Sequence, residues 1–327
     1  MKKSSLLLFL YAFSLPVLAQ TEFKLPATFA FNASYSSKQK FREPQPTGYY
    51  SNISEGVRLS LPFIQKLNIE KLNFFALLFQ INGSYEHPTI SNFIRQPTFI
   101  KSGSSLTALY HFKNKHTLIG TVKLAISEDH QTISNPYFRT VSTLFYTKKT
   151  TAHFSFSLGG IISSYYQGIR FFPLLGMQVK SEKNRFLILF PLCFDYKHEV
   201  SAKTIIGMRL SPKGNLNRFY TPHYSTSPLL NSESYLRVRH IDLACYFSLD
   251  LFRQLSLTIQ GGGMFAGRML INTSENTLKI PLQTGMFAGA TFTYRFIKRK
   301  KEENDSALID ADDLNLYNVT VDDLMNY

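Results

Sequence analysis

Apolar and polar residues alternate along most of the chain between residues 27 and 296. In one such segment Val122 and Leu124 alternate with Thr121 and Lys123. This period-two pattern predicts β-strands that have one apolar and one polar face. The segments are about 9–13 residues long, the length of a tilted strand that crosses hydrocarbon, whereas soluble strands are nearer 5–6.

The polar face of these segments distinguishes a barrel from a soluble sandwich. Its residues are mostly Ser, Thr, Asn, Gln and Gly, whereas the charged residues concentrate in the connections, for example at 113–115, 148–149 and 181–184. Small uncharged side chains suit the interior of a closed barrel. The alternation predicts that these residues face the lumen: Arg58, Thr121, Lys123, Asp195, His240, Asp242 and Gln260.

The lengths of the connections predict which end of the barrel is which. Long polar segments at 37–50, 85–102 and 127–136 follow the first, third and fifth strands, and short turns separate the others. Long outer loops and short periplasmic turns are typical of outer-membrane barrels.

The alternation of long and short connections fails around residues 185–235. The long segment 212–234 falls on the predicted periplasmic side, so either a strand near 217–221 is missing from the prediction or 185–211, which contains Pro191, is divided wrongly. About thirteen segments qualify as strands, and a closed bacterial barrel prefers an even number. We therefore predict an all-β, closed antiparallel transmembrane barrel of about twelve strands, with ten and fourteen as alternatives.

The N-terminus has the features of a secretory signal peptide. Lys2 and Lys3 precede a short apolar run, and Ala19 ends a suitable cleavage site. We expect a signal peptide over 1–19, an outer-membrane barrel over 20–297 and a separate tail over 298–327. No later segment is apolar for long enough to predict a transmembrane helix.

Composition adds to this picture. The chain has 29 Phe, 18 Tyr and no Trp, and 18% of its residues are charged. Aromatic residues favour strands and form the interfacial belts of membrane barrels. Cys193 shares a strand face with Asp195, and Cys245 lies on the apolar face of its strand, so we expect two free thiols on opposite faces.

The tail has a charge pattern of its own. Lys298 to Lys301 are basic, and residues 302–327 contain eight Asp or Glu and no Lys or Arg. Such a segment is expected to be disordered in isolation. It is either a solvated charged end or a periplasmic docking segment for a basic partner.

Few motifs point to chemistry. The sequence has no phosphate-binding loop, zinc spacing or nucleophile elbow, so we predict no catalytic residue, no cofactor and no metal site. Gly261–Gly263 is interpreted as a strand end or bulge. His240 and Asp242 share one strand face and could form a lipase-like site with a serine, although a polar lumen network is the preferred interpretation; residues 223–225 are a weaker catalytic candidate. The net charge of +14 does not indicate nucleic-acid binding, because the basic residues are scattered.

The stretch from Phe172 to Gly176, the turn at 181–184 and the segment from Phe186 to Pro191 resemble an uncharacterised outer-membrane β-barrel family of Bacteroidota. The resemblance covers residues 20–297. It implies a barrel in the bacterial outer membrane and transfers no site residues, since the family has no assigned activity.

These observations favour a non-enzymatic outer-membrane barrel, in contact with outer-membrane lipid and inserted by the barrel assembly machinery. A narrow conduit for a small solute is the leading hypothesis. The alternatives are a lipid-active barrel enzyme, a structural barrel whose tail docks a periplasmic partner, and a soluble periplasmic β-protein.

Overall fold

A computed structural model of the protein describes most of the chain, as a single sheet of 15 strands. The predicted signal peptide, the predicted tail and residues 223–225 lie outside the described residues, which are 25–42, 47–68, 73–91, 93, 96–112, 115–129, 136–165, 168–220, 233–272 and 277–296. The strands are β1 (Ala27–Lys40), β2 (Tyr49–Asn68), β3 (Asn73–Ile90), β4 (Phe99–Phe112), β5 (His116–Asp129), β6 (Arg139–Lys149), β7 (Phe154–Tyr165), β8 (Gly168–Lys180), β9 (Asn184–Phe190), β10 (Cys193–Ser201), β11 (Thr204–Tyr220), β12 (Glu233–Phe252), β13 (Leu255–Asn272), β14 (Thr277–Pro281) and β15 (Gly285–Phe296).

The strands close into an antiparallel barrel, as predicted. Each strand from β1 to β13 pairs with the next, β13 pairs with β15, and β15 returns to β1. The short β14 pairs with the far half of β13 and continues the line of β15. The barrel therefore has fourteen strands plus one extra short strand, and the prediction of twelve is wrong.

The miscount comes from residues 184–220. Three strands, β9, β10 and β11, occupy this region. The two turns between them contain two residues each, 191–192 and 202–203. Pro191 lies in the first of these turns, where its missing N–H is not needed by the ladder. β11 also continues to Tyr220. The division of 185–211 was therefore wrong, and residues 217–220 form the end of β11 and not a separate strand.

The two ends of the barrel differ in the length of their connections. One end, here called the turn end, has only short connections and holds the start of β1 and the end of β15. The other, the loop end, has long connections after β1, β3 and β5. This confirms the predicted alternation of long and short connections for that part of the chain. The end of β11 and the start of β12 also lie at the loop end, because β9, β10 and β11 restore the alternation.

Alternation places apolar side chains outside, and both polar and apolar side chains inside. Val122 is 55% exposed, whereas its neighbour Lys123 is 3% exposed. The outer face of β8 is apolar along its whole length, from Ile169 to Val179. Large exposed apolar side chains continue around the barrel on the other long strands; Glu55 on β2 is a charged exception. None of the described residues forms a helix long and apolar enough to cross a membrane.

The wall of the barrel has unequal height. β9 has 7 residues and β10 has 9, whereas β11 has 17. The last residue of β11 that pairs with β10 is Leu210. Beyond it, β11 continues towards the loop end with β12 on one side and no β10 partner on the other.

In the main barrel β6–β10 lie between β5 and β11. At the loop end, beyond the short strands β9 and β10, the free edge of β11 is contacted by β5. Arg218 of β11 and Glu128 of β5 pair through their backbones as parallel strands do, and their side chains form an ion pair. This contact between the two strands is here called the seam. At the loop end β1–β5 and β11–β14 thus close a smaller ring of nine strands above the full barrel. The seam therefore narrows the barrel towards the loop end.

Two clusters of apolar side chains occupy parts of the interior. The upper cluster, inside the smaller ring, contains Phe41, Tyr50, Ile90, Phe99, Phe219, Leu236, Val238, Met269, Ile280 and Leu282. The lower cluster lies mainly against β3–β9 and includes Phe74, Leu109, Phe145, Ile161 and Leu174. Leu25 belongs to the lower cluster, and its backbone N–H donates to Gln65 Oε1 at 2.7 Å. The lumen is therefore partly filled by its own wall.

Two smaller predictions have opposite outcomes. Cys193 and Cys245 are free, the first packed against the lower cluster and the second exposed on the outer face, as predicted. Gly261–Gly263 lies within β13, so the interpretation as a strand end is wrong. Gly262 is needed for close packing, because a Cβ there would lie 1.9 Å from the Leu243 carbonyl oxygen.

We expect Gly262→Ala to destabilise the barrel by about 1–3 kcal/mol, because β12 and β13 would have to separate. Gly83→Ala is the matched control, since its Cβ would meet nothing nearer than the Lys101 carbonyl oxygen at 3.8 Å. Urea unfolding followed by circular dichroism measures both variants. Equal midpoints for the two variants would contradict the expectation.

Candidate functional site

The candidate site is the inner surface of the barrel between the two apolar clusters. All seven residues predicted to face the lumen lie at inner-face positions of β2, β5, β10, β12 and β13. They do not form one cluster. Arg58 and Lys123 line a cavity, Thr121 contacts another hydroxyl, and Asp195 is the centre of a carboxylate network. His240 and Asp242 form a pair, and Gln260 lies apart, on β13 opposite Tyr246 and Gly289.

The seam is a buried charged contact near the site. Arg218 Nε lies 2.6 Å from Glu128 Oε2, and their side chains are 6% and 0% exposed. Glu128 also accepts the backbone N–H of Tyr137 at 2.9 Å. Such a pair is stabilising mainly while it is complete, since either ion left alone would be buried without its partner.

A polar network joins the inner faces of β3, β4, β5 and β11 beside the seam. Lys101 Nζ donates to Glu86 Oε1 at 2.6 Å and to Asn215 Oδ1 at 3.2 Å. Ser127 donates to Asn217 Oδ1 at 2.5 Å, and Asn217 Nδ2 donates to Glu86 Oε2 at 3.4 Å. These contacts attach the free half of β11 to the opposite wall.

A cavity of about 150 Å³ lies next to this network. Of the predicted residues, it is lined by Arg58 and Lys123; it is also lined by Lys101, Arg139 and Glu86. The alternation pattern does not identify the last three residues. Lys101 and Glu86 fall in a predicted long polar connection, because β3 and β4 extend further than the alternation indicates.

Asp195 is the centre of a second polar group, nearer the turn end. Its side chain accepts Arg209 Nε at 3.0 Å and the Tyr246 hydroxyl at 3.2 Å, and it is 2% exposed. Arg209 also lies 5.6 Å from the centre of the Tyr246 ring. The cation and the hydroxyl together compensate the buried carboxylate, which indicates a structural role for this group. Thr121 is similarly satisfied, through a 2.9 Å hydroxyl contact with Thr107.

Among the described residues, the His–Asp pair has no third member of the kind that a lipase-like site requires. His240 Nε2 lies 3.1 Å from Asp242 Oδ1. The other ring nitrogen, Nδ1, is buried and has no hydrogen-bond partner among the described residues. A serine nucleophile would have to bond to that nitrogen. The polar-network interpretation of the pair is therefore favoured by the described geometry.

Comparison with known proteins gives a likeness of fold only. No protein-family model matches the chain, and no curated protein matches it significantly. Solved structures that resemble it are outer-membrane barrels. An outer-membrane channel from Pseudomonas putida F1 is 9% identical with a TM-score of 0.42 over 86% of this chain and 100% of that one. The monoaromatic hydrocarbon channel TodX is 9% identical with a TM-score of 0.42, over 84% and 91%.

The translocator domain of the autotransporter NalP from Neisseria meningitidis is 8% identical with a TM-score of 0.37, over 90% of this chain and 97% of that one. At these identities and TM-scores the similarities identify no function. The resemblance to a barrel family of Bacteroidota stays a prediction.

We expect Arg218→Met to destabilise the protein by about 3–5 kcal/mol, because it leaves Glu128 buried without its cation. Adding Glu128→Gln should recover a large part of that loss, since the amide keeps an acceptor for Tyr137 and carries no charge. Urea unfolding of the single and double variants measures the coupling. Losses that simply add would show that the seam pair is not coupled in solution.

Proposed function

We propose that the chain is an outer-membrane barrel that forms a narrow conduit for a small solute and is closed at the loop end in the structure described here. The observation that carries the proposal is the contrast between the two faces of the closed wall. The outer face is apolar, and the inner face between the apolar clusters is polar and basic.

The outer face supports membrane insertion. Soluble proteins rarely expose large continuous apolar patches, and here apolar side chains cover successive outer positions on neighbouring strands. In the closed ring every strand also pairs with a neighbour on each side, which is the condition for crossing lipid with β-strands. By the usual arrangement of such barrels, the turn end faces the periplasm and the loop end faces outwards.

The inner face supports passage of a solute that is controlled at the loop end. Polar side chains line the middle of the lumen, whereas the upper cluster and the seam close the smaller ring above them. The seam joins strands that are not neighbours in the main barrel. Its side-chain contacts can therefore open without breaking the fourteen-stranded ring.

A structural barrel is the second candidate, and the packed interior favours it. The two apolar clusters fill parts of the lumen on which an open conduit would depend. In that case the tail remains the predicted docking segment for a periplasmic partner.

Membrane insertion is tested by a charge on the outer face. We expect Val122→Arg to destabilise the barrel by about 2–4 kcal/mol, the cost of a cation at the centre of the bilayer. On a soluble surface the same change would be nearly neutral. Glu182→Arg, in the exposed β8–β9 turn, is the control. Urea unfolding in lipid vesicles measures both, and a neutral Val122→Arg would contradict the membrane location.

Conduction is tested with a disulfide bond next to the seam, which would hold β5 and β11 together. In a background with Cys193→Ala and Cys245→Ala, the pair Ser127→Cys and Asn217→Cys should form a disulfide, because the native side chains are in hydrogen-bond contact. We expect little conductance in planar bilayers when the bond is formed and an increase on reduction.

The single Asn217→Cys variant controls for loss of the native contact, and it should not respond to reductant. Absence of conductance in the reduced double-cysteine variant and in Arg218→Met would contradict the conduit and favour the structural barrel.

A further inference from the structure

We propose that the cavity beside the seam is a binding site for a small anion that carries several oxygens, such as inorganic phosphate, sulfate or a short dicarboxylate. The inference rests on the proposed conduit, because it names the class of solute that the conduit would take. Binding to the cavity can nevertheless be measured without conduction.

Strand register places four basic residues around one point of the wall. Arg58, Asn82, Gly103, Ala125 and Arg139 form a single row of directly paired residues from β2 to β6. The two arginines therefore lie at opposite ends of the row, and their side chains project inwards from different parts of the curved wall.

Two lysines complete the frame. Lys101 lies two residues from Gly103 on β4, towards the loop end. Lys123 lies two residues from Ala125 on β5, towards the turn end. Ala125 lines the cavity between these longer side chains, and its own side chain is a single methyl group.

The charge of the lining is strongly positive. Four basic side chains and one carboxylate, Glu86, line the cavity. Glu86 is already held by Lys101 at 2.6 Å. Concentrating cations at one point of a lumen costs free energy that a bound anion would recover.

Size and donor geometry select the kind of anion. A cavity of about 150 Å³ has room for a molecule the size of benzene, which is enough for a small anion with several oxygens. Guanidinium groups bind planar pairs of oxygens with two parallel hydrogen bonds, and the amides of Asn32 and Asn82 and the hydroxyls of Ser54 and Ser84 add uncharged donors. An anion with several oxygens uses this surrounding set of donors better than chloride does.

The test is calorimetric titration of the full-length protein in detergent with inorganic phosphate, with choline chloride as a cation control. We expect phosphate to bind and choline not to bind. Arg58→Gln and Lys123→Gln should each weaken phosphate binding by about tenfold or more, as expected for loss of a charged hydrogen-bond donor. Arg58→Lys, which keeps the charge, should retain more affinity than Arg58→Gln.

Lys203→Gln, at an exposed position in the β10–β11 turn, is the matched control and should leave phosphate binding unchanged. Circular dichroism before each titration restricts the comparison to folded variants. The proposal is overturned if phosphate does not bind, or if Arg58→Gln and Lys123→Gln bind it as the wild type does.

Bilayer recordings keep this outcome separate from that of the conduit. Conductance without phosphate binding would overturn the anion site and leave the conduit in place. Phosphate binding that is sensitive to Arg58 and Lys123, without conductance in any variant, would support the site and contradict the conduit.

Discussion

The structure depends on backbone hydrogen bonds that close in a ring. Each strand from β1 to β13 pairs with its neighbours, and β15 joins the last strand to the first. Closure removes the unpaired edges that lipid cannot satisfy, and it leaves one face for hydrocarbon and one for the lumen. The apolar exterior and the polar interior both follow from this arrangement, because side chains alternate along every strand.

The unequal wall gives the interior its particular form. Because β9 and β10 are short, β11 has a free edge, and that edge is covered by β5 through Arg218 and Glu128. The smaller ring that results encloses the upper apolar cluster and attaches β11 to Lys101 and Glu86. The proposed control of the conduit therefore originates in two short strands.

Much of the architecture could be predicted from local patterns. Period-two alternation identified the barrel, the orientation of Thr121, Lys123 and Asp195, and the opposite faces of the two cysteines, because a strand fixes the direction of each side chain. It failed around Pro191, where two-residue turns divide a continuous alternating stretch into β9, β10 and β11. Alternation does not reveal a turn that preserves the pattern, so the predicted number of strands was too low.

The sequence by itself determined the fold class, the apolar exterior, the polar inner face and the long connections after β1, β3 and β5. These properties depend on the type and spacing of residues within one strand. Only the tertiary structure decided the number of strands, the seam, and the meeting of Arg58, Lys101, Lys123 and Arg139 around one cavity. Those features depend on the register between strands distant in sequence, and register is set by the closure of the whole ring.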